Sequence, residues 1–260
     1  MKISTFSLAL AMAVSLLLSS SASLYAAETD DRIEAAAKQT YVFRTYLKND
    51  DIKVSSKAGD VTLSGTVSEE AHISLAKETV AILPGVKSVD SKLKVKSGGP
   101  AAYTDAWLIT KVKFTLLFHR NVNAAGTEVF SKKGNITLRG KATSLAQKDL
   151  TTEYVKDVDG VKGVMNLMTV PSAAAKKGTA VFAQKVDAMG DTVDDASVTA
   201  LVKTTLLYHR STSALNTAVE TKDGVVTLRG KAKNAAEKDL ATKIVSDIHG
   251  VKTVVNNMTV

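Results

Sequence analysis

The sequence contains no cysteine. This absence excludes disulfide bonds, iron–sulfur clusters, thiolate zinc sites and cysteine nucleophiles. It also excludes a lipid anchor attached to a cysteine at a processed N-terminus. The fold must therefore be stabilised by packing.

Long apolar segments are also missing, apart from one near the N-terminus. Lys2 precedes an apolar run from Phe6 to Leu18, and small residues follow as far as Ala26. Basic, then apolar, then small residues are typical of a secretory signal peptide. The run is shorter than the ~20 residues that a membrane-spanning helix needs, and no later segment approaches that length. We expect residues 1–26 to be removed on export, with cleavage near Ala26 or alternatively at Ala22, and the mature chain to be soluble.

Signatures of catalysis are lacking as well. The sequence has no Gly-x-Ser-x-Gly motif, no phosphate-binding loop and no dinucleotide-binding glycine pattern. The acidic pairs Asp30-Asp31, Asp50-Asp51 and Glu69-Glu70 are interpreted as helix-cap and loop charges, because adjacent residues of a helix do not share a face. His72 and His249 do not recur, and no set of histidines and carboxylates recurs with metal-ligand spacing. We expect no enzymatic activity, no cofactor and no metal.

The sequence contains one unit that is repeated three times. Segments of 66 residues align without a gap at Asp30 to Val95, Asp105 to Val170 and Asp195 to Val260, and residues 96–104 and 171–194 link them. A fixed period of this kind determines the architecture before local propensities do. Nine glycines fall in register: Gly59, Gly65, Gly85, Gly134, Gly140, Gly160, Gly224, Gly230 and Gly250.

The first half of each unit is predicted to be a helix followed by a hairpin. Leu108, Val112 and Leu116 recur at helical spacing, and Asp105 stands at the expected N-cap. Two alternating runs then flank the turn at Gly134, which is typical of a β-hairpin with one buried face.

The second half is predicted to be another helix followed by a strand. The helix begins after Ser144 with a reciprocal cap from Gln147, and ends at Gly160. A strand from Val161 to Val170 follows, and a right-handed crossover places it parallel to the preceding strand. The helix is expected to bury Ala146, Leu150, Val155 and Val158, matched by Ala236, Leu240, Val245 and Ile248. The fold class is therefore α+β: three tandem αββαβ modules, each a three-stranded mixed sheet covered on one face by two helices.

This element order, the G-x-[VI]-T-L-x-G strand and the closing G-V-K-x-V segment resemble the BON domain, named for bacterial osmotically inducible and nodulation proteins. With an export signal and tandem copies, the chain is similar to the OsmY-like periplasmic type, but carries three copies where that type has two. The resemblance implies an envelope protein of the osmotic stress response, without catalytic residues, that binds phospholipid or other envelope components.

Charge differs among the copies. The first has equal numbers of acidic and basic residues, whereas the second and third carry a net +4 and +3. Part of this excess lies on the strand around Gly140 and its equivalent, where we predict a lipid or anion site formed by Arg139, Lys141, Arg229 and Lys231. The alternative is that these are ordinary solubilising residues on the open face of a sheet.

Three further features each allow two interpretations. His119-Arg120 and His209-Arg210 repeat at the end of the first helix, where they either interact with the terminal carbonyls or contact a ligand. Trp107 lies on a core-like stripe, but the third copy has Ser197 in its place, so a partly exposed position at a membrane interface is the alternative. Within the second linker, Val181 to Met189 either form a short amphipathic helix or remain an incidental part of the linker.

Two functions compete at this point. One is peripheral binding to anionic phospholipid headgroups, and the other is a periplasmic chaperone or adaptor that holds unfolded or partner protein. Nucleic acid is not expected as a partner, because export separates the chain from it. The sequence leaves the oligomeric state open.

Overall fold

The computed structural model describes residues 27–96, 104–171, 193–212 and 217–260. It confirms the predicted α+β architecture of three repeated modules, each with one three-stranded mixed sheet. The predicted signal peptide and most of both linkers lie outside the described residues. Within the residues described, no helix is long and apolar enough to cross a membrane.

The elements follow the same order in each module. In the first they are α1 (27–39), α2 (Tyr41–Thr45), β1 (Asp51–Lys57), β2 (Asp60–Val67), α3 (Glu70–Ala81) and β3 (Ser88–Val95). In the second they are α4 (Asp105–Phe118), β4 (Thr127–Lys132), β5 (Asn135–Gly140), α5 (Leu145–Lys156) and β6 (Gly163–Asn166). In the third they are α6 (Asp195–Tyr208), β7 (Thr217–Lys222), β8 (Val225–Gly230), α7 (Ala235–Ser246) and β9 (Thr253–Asn256).

Each sheet has its second strand in the centre. The first strand pairs with it antiparallel and the third pairs with it parallel, as the crossover predicts. Along β5 the side chains alternate: Ile136 and Leu138 are buried under the helices, whereas Arg139 is exposed on the other face. This alternation fixes which face of each sheet remains open.

The closing strand of the second module is shorter than predicted. It runs over Gly163–Asn166 rather than from Val161 to Val170. The Asn166 side chain binds α5 through the Lys148 carbonyl and the Thr152 hydroxyl, and its Oδ1 accepts the backbone N–H of Met168. Because this side chain bonds its own backbone two residues on, regular pairing ends there.

The predicted cap of the second helix is confirmed, although the helix ends earlier than expected. Ser144 accepts the backbone N–H of Gln147, and the Gln147 side chain accepts the N–H of Thr143. The reciprocal bond thus reaches one residue further back than in the usual capping box. The helix ends at Lys156, and Gly160 lies in the loop that follows.

The sequence predicted Asp105 as the N-cap of the first helix, and this prediction is wrong. Thr104 is the cap, and its side chain accepts the N–H of Trp107. Asp105 lies inside the helix, where its carboxylate accepts hydrogen bonds from the hairpin turn: from the Ser131 hydroxyl and from the backbone N–H groups of Lys133 and Gly134. These bonds lower the pKa of Asp105 below its ordinary 3.8. The aspartate therefore ties the helix to the turn.

The in-register glycines share one backbone feature, a positive φ. At Gly140, where φ is 123°, a Cβ would lie 2.0 Å from the carbonyl oxygen of Gly126. No side chain fits there, because the two strands approach too closely. Gly65 meets the Asp51 carbonyl oxygen in the first module at the same distance of 2.0 Å. Glycine is therefore required at Gly65 and Gly140 because the neighbouring strand lies too close for a side chain.

The first module departs from the other two in its first helix. That helix breaks at Thr40, which caps the short α2. At the break, the backbone N–H of Tyr41 donates to the Asp194 carboxylate at 2.7 Å, and that of Val42 donates to the Ser197 hydroxyl at 3.0 Å. The third module therefore satisfies the N–H groups that the broken helix leaves unpaired.

The second and third modules meet in a reciprocal contact, here called the central joint. The backbone N–H of Arg120 donates to the Asp247 carbonyl at 2.9 Å, and that of Arg210 donates to the Asp157 carbonyl at 2.8 Å. Each module thus places the end of its first helix on the loop after the partner module's second helix. The two halves repeat each other because they are equivalent positions of one repeated sequence.

Candidate binding surface on the second module

Each module covers one face of its sheet with helices and leaves the other face open. On the open face of the second module, Phe130, Thr137 and Met165 form one row across the three strands. Leu167 follows Met165 along the chain, and the bond of its backbone N–H to the Leu138 carbonyl places it beside Arg139. Apolar and cationic side chains therefore share this face.

The apolar members of the face are unusually exposed for their type. Phe130, Met165 and Leu167, here called the apolar trio, have exposed fractions of 47%, 60% and 48%. The equivalent residues are Ser55, Asp90 and Lys92 in the first module and Glu220, Val255 and Asn257 in the third. Only the second copy has an apolar residue at all three positions.

The two predicted arginines lie in different electrostatic surroundings. The guanidinium of Arg139 lies over the Phe130 ring, with Cζ 5.4 Å from the ring centroid. Arg229 instead forms an ion pair of 2.9 Å with Glu220, the residue that replaces Phe130 in the third copy. An ion pair holds the cation in the third module, whereas an aromatic ring holds it in the second, where the cross-strand neighbour Glu128 forms no ion pair of 4.0 Å or less with it.

The two predicted lysines, Lys141 and Lys231, each follow the glycine at the end of a central strand and lie on the same open face as the arginine of their module. Lys141 forms an isolated bridge with Thr169, and Lys231 forms the same bridge with Thr259. The structure therefore brings Arg139 and Lys141 together on one face and places Arg229 and Lys231 on another. Both lysines are exposed.

Sequence reasoning did not identify the apolar trio. The signal lay in comparing the copies: Phe130 stands between Val129 and Ser131 on a strand whose inward face is already set by Val129. A phenylalanine at an outward position, where the other copies have Ser55 and Glu220, indicates a surface with a role other than packing.

The repeated His-Arg pairs lie in the central joint. Each arginine side chain donates to backbone carbonyls, but to those of the other module, not to those of its own helix as the sequence suggested. The acceptors are Ser246 and Val251 for Arg120, and Lys156 and Val161 for Arg210. Trp107 is half-buried and packs against the core, with the Lys111 ammonium 4.6 Å from its ring centroid.

A serine, a histidine and an aspartate also meet in the first module. The Ser68 hydroxyl and the Asp50 carboxylate both lie against Nδ1 of His72. A catalytic triad requires the aspartate on one ring nitrogen and the nucleophile on the other. This cluster is therefore a structural one, packed against Phe114 of the second module. Among the described residues, no group of three or more potential metal ligands is found.

Comparison with protein families decides the identity of the repeated unit. The model of the BON domain matches residues 29–97, 104–187 and 194–260. The chain belongs to the BON domain family. Its three matches correspond to the three modules, and the family resemblance expected from the sequence is confirmed.

Two BON-containing relatives are similar in sequence. The chain is 30% identical over 154 residues to "Osmotically-inducible protein Y" of Escherichia coli (strain K12), covering 59% of this chain and 71% of that protein. It is 29% identical over 119 residues to the "21 kDa hemolysin" of Actinobacillus pleuropneumoniae, covering 45% and 61%. A solved structure of CdsD, a structural protein of the type III secretion system of Chlamydia trachomatis, aligns over 87% of this chain and 88% of that one at 17% identity, with a TM-score of 0.23.

Proposed function

We propose that this BON protein binds anionic phospholipid surfaces peripherally, through the open sheet face of its second module. The observation that carries the proposal is the apolar trio beside Arg139 and Lys141. It combines side chains that gain from leaving water with cations that gain from nearby phosphate groups. We propose a binding role without catalysis.

The energetics suit a reversible attachment. Burying a fully exposed apolar side chain contributes about 1.5–3 kcal/mol, and the half-exposed Phe130 would gain about half of that. Each cation near an anionic bilayer contributes about 1 kcal/mol. The trio with Arg139 and Lys141 then supplies enough free energy to hold the protein at a surface, but not enough to make the attachment permanent.

We further propose that the protein acts in the periplasm during osmotic or other envelope stress. The signal-peptide pattern of residues 1–26 supports export, and the similarity to an osmotically inducible protein supports the stress context. An exported protein meets anionic headgroups at the membrane surfaces of the envelope, where a basic face would find its ligand.

The experiment is vesicle sedimentation with the full mature chain. Vesicles of phosphatidylglycerol mixed with phosphatidylethanolamine are compared with vesicles of phosphatidylcholine alone, at low and high salt. We expect the wild type to sediment with the anionic vesicles only, and salt to weaken binding because it screens the cations. Phe130→Glu should reduce binding at least tenfold.

The third module already carries a glutamate at the position equivalent to Phe130. Glu220 occupies the equivalent position there without disturbing the fold, so Phe130→Glu copies a residue that the repeat already tolerates. Met165→Asp, which copies Asp90 of the first module, tests the same face independently. Equal binding to both vesicle types, or unchanged binding by both variants, would refute the proposal. Salt-tolerant suppression of client aggregation without vesicle binding would favour the chaperone or adaptor function instead.

A further inference from the structure

The central joint contains two buried imidazoles that face each other. His119 comes from the second module and His209 from the third, and their Nε2 atoms lie 3.3 Å apart. Both side chains are inaccessible to solvent. His119 stacks on the Tyr154 ring with 3.7 Å between centroids. Neither imidazole can exchange its partners for water while the joint is closed.

The hydrogen-bond partners limit where the protons lie. His209 Nδ1 lies 2.9 Å from the Asp157 carboxylate, so it carries a hydrogen and donates. The 3.3 Å contact between the two Nε2 atoms has room for one hydrogen, so one of them donates and the other accepts. His119 Nδ1 lies 3.4 Å from Oδ2 of Asp247.

The groups around the pair oppose one another electrostatically. Asp157 and Asp247 favour a charged imidazole from either end. Against them stand complete removal from water, which has the largest effect, and the neighbouring imidazoles of His209 and His249, so that the pKa of His119 falls from 6.5 to about 4. Tyr154 stays neutral because burial raises the pKa of its hydroxyl, which donates to Asp247.

The two arginines of the joint add positive charge at its rim. Arg120 and Arg210 point their guanidinium groups at carbonyls of the opposite modules. Asn121 and Ser211 complete the set, each donating to the aspartate of the other module. Apart from His249, the polar groups named around the imidazoles are neutral donors, carboxylates already bound to a donor, or cations held at the edge.

We propose that the central joint is a proton-sensitive latch, closed while the buried His119 imidazole is neutral and opened when His119 accepts a proton. The proposal does not depend on lipid binding. A charged His119 imidazole in this water-free site loses its hydration, and opening the joint restores it. The penalty therefore acts at the contact that holds the two modules together.

The direction of the effect follows from the lowered pKa of His119. The open joint binds the proton more readily than the closed one, since an exposed imidazole has the ordinary pKa of 6.5. The closed form therefore keeps its full stability above pH 6.5 and loses it as the pH falls toward 4. With about tenfold per pKa unit, the opening equilibrium rises by roughly 300-fold over that window.

The test uses the full chain and the absence of native cysteine. Glu128→Cys and Lys222→Cys place one label on the strands of each module, both at exposed positions. Energy transfer between the labels is followed from pH 7.5 to 4, while far-UV circular dichroism monitors secondary structure. We expect a reversible loss of transfer with a midpoint between pH 4 and 6.5, before the secondary structure melts.

Two variants identify the groups responsible. His119→Gln/His209→Gln should show the wild-type transfer at pH 7.5 and no transition above the global unfolding. His249→Gln should retain the transition. If the double variant does not close at pH 7.5, imidazole NMR of the wild type decides the question. A neutral His119 at pH 7 that gains its proton as the joint opens supports the latch, and a charged His119 at pH 7 overturns it. Constant energy transfer in the wild type down to global unfolding overturns it as well.

Discussion

Asp105 accepts a hydrogen bond of 2.9 Å from the backbone N–H of Gly134, a residue 29 positions further along the chain. Asp30 with Gly59, and Asp195 with Gly224, form the same bond in the other modules, at 3.0 and 2.8 Å. One carboxylate thus joins the first turn of the first helix to the hairpin turn in all three modules. It fixes how the helix lies on the sheet.

Replacing this carboxylate should remove a pH-dependent part of the stability. The folded-state pKa of Asp105 is below its ordinary 3.8, so its contribution is present above that pH and is lost as the pH falls below it. Asp105→Asn should lower the urea midpoint at pH 7, and the difference from wild type should shrink at pH 3. Asp149→Asn, an exposed site on α5, is the control and should leave the midpoint unchanged.

The glycine of the central strand should tolerate no side chain. Gly140→Ala forces a Cβ to within 2.0 Å of a carbonyl oxygen at a φ of 123°. The backbone conformation alone should cost roughly 1–3 kcal/mol. Calorimetry should show a clearly lower Tm. In Gly163→Ala the new Cβ meets only the movable Asn135 side chain, so the Tm of this control should fall much less. An equal fall in Tm for both variants would contradict the explanation by strand contact.

The two arginines of the open faces should differ in their contribution to vesicle binding. Both substitutions change the charge by the same amount, but Arg139→Glu does so beside the apolar trio, whereas Arg229→Glu does so on a face that lacks the trio and already carries Glu220. We expect sedimentation with anionic vesicles to fall about tenfold for the first variant and by less than twofold for the second, as a loss of roughly 1–2 kcal/mol implies. Equal losses would indicate that the charge of the whole chain, rather than this face, attracts the membrane.

The central joint should weaken when one arginine takes the residue of the first copy. Arg120→Thr copies Thr45 and removes the bonds to two carbonyls of the third module. Such bonds contribute about 1 kcal/mol each when partly exposed to water. Limited proteolysis at pH 7 should cut the variant faster between the second and third modules. Lys132→Thr, at an exposed position on β4, should behave as the wild type does.

Local features of the repeat were predictable because their causes are close in sequence. Ser144 and Gln147 are three residues apart, and the alternation of Ile136 and Leu138 lies within a single strand. Each of these was confirmed. The α+β class and the parallel third strand followed from them together with the spacing of the glycines.

Features that depend on distant partners could not be read in this way. Asp105 was interpreted as a cap because its true partners come 26 to 29 residues later. Ala236 was expected to be buried but is exposed, whereas Glu237 turns inward to accept the N–H of Lys233. Helical spacing alone does not anticipate a side chain that leaves its face to satisfy a backbone donor.

The candidate surface was predicted in part. Arg139 and Lys141 share the open face that the strand period assigned to them, but the period could not show that Arg139 lies on an aromatic ring while Arg229 is ion-paired. That difference depends on cross-strand register, which only the pairing of β4 with β5 and of β7 with β8 establishes.

The exchange at the central joint has the form of a two-fold symmetric dimer within one chain. In such an isologous pair, each half uses the same patch to bind the other, so no copy of that patch is left over. The first module, with Arg44 and Thr45 where the others have histidine and arginine, attaches elsewhere, through α2 and α3 against α6. The second and third modules therefore occupy each other's contact surface, and a fourth copy could not bind at the central joint.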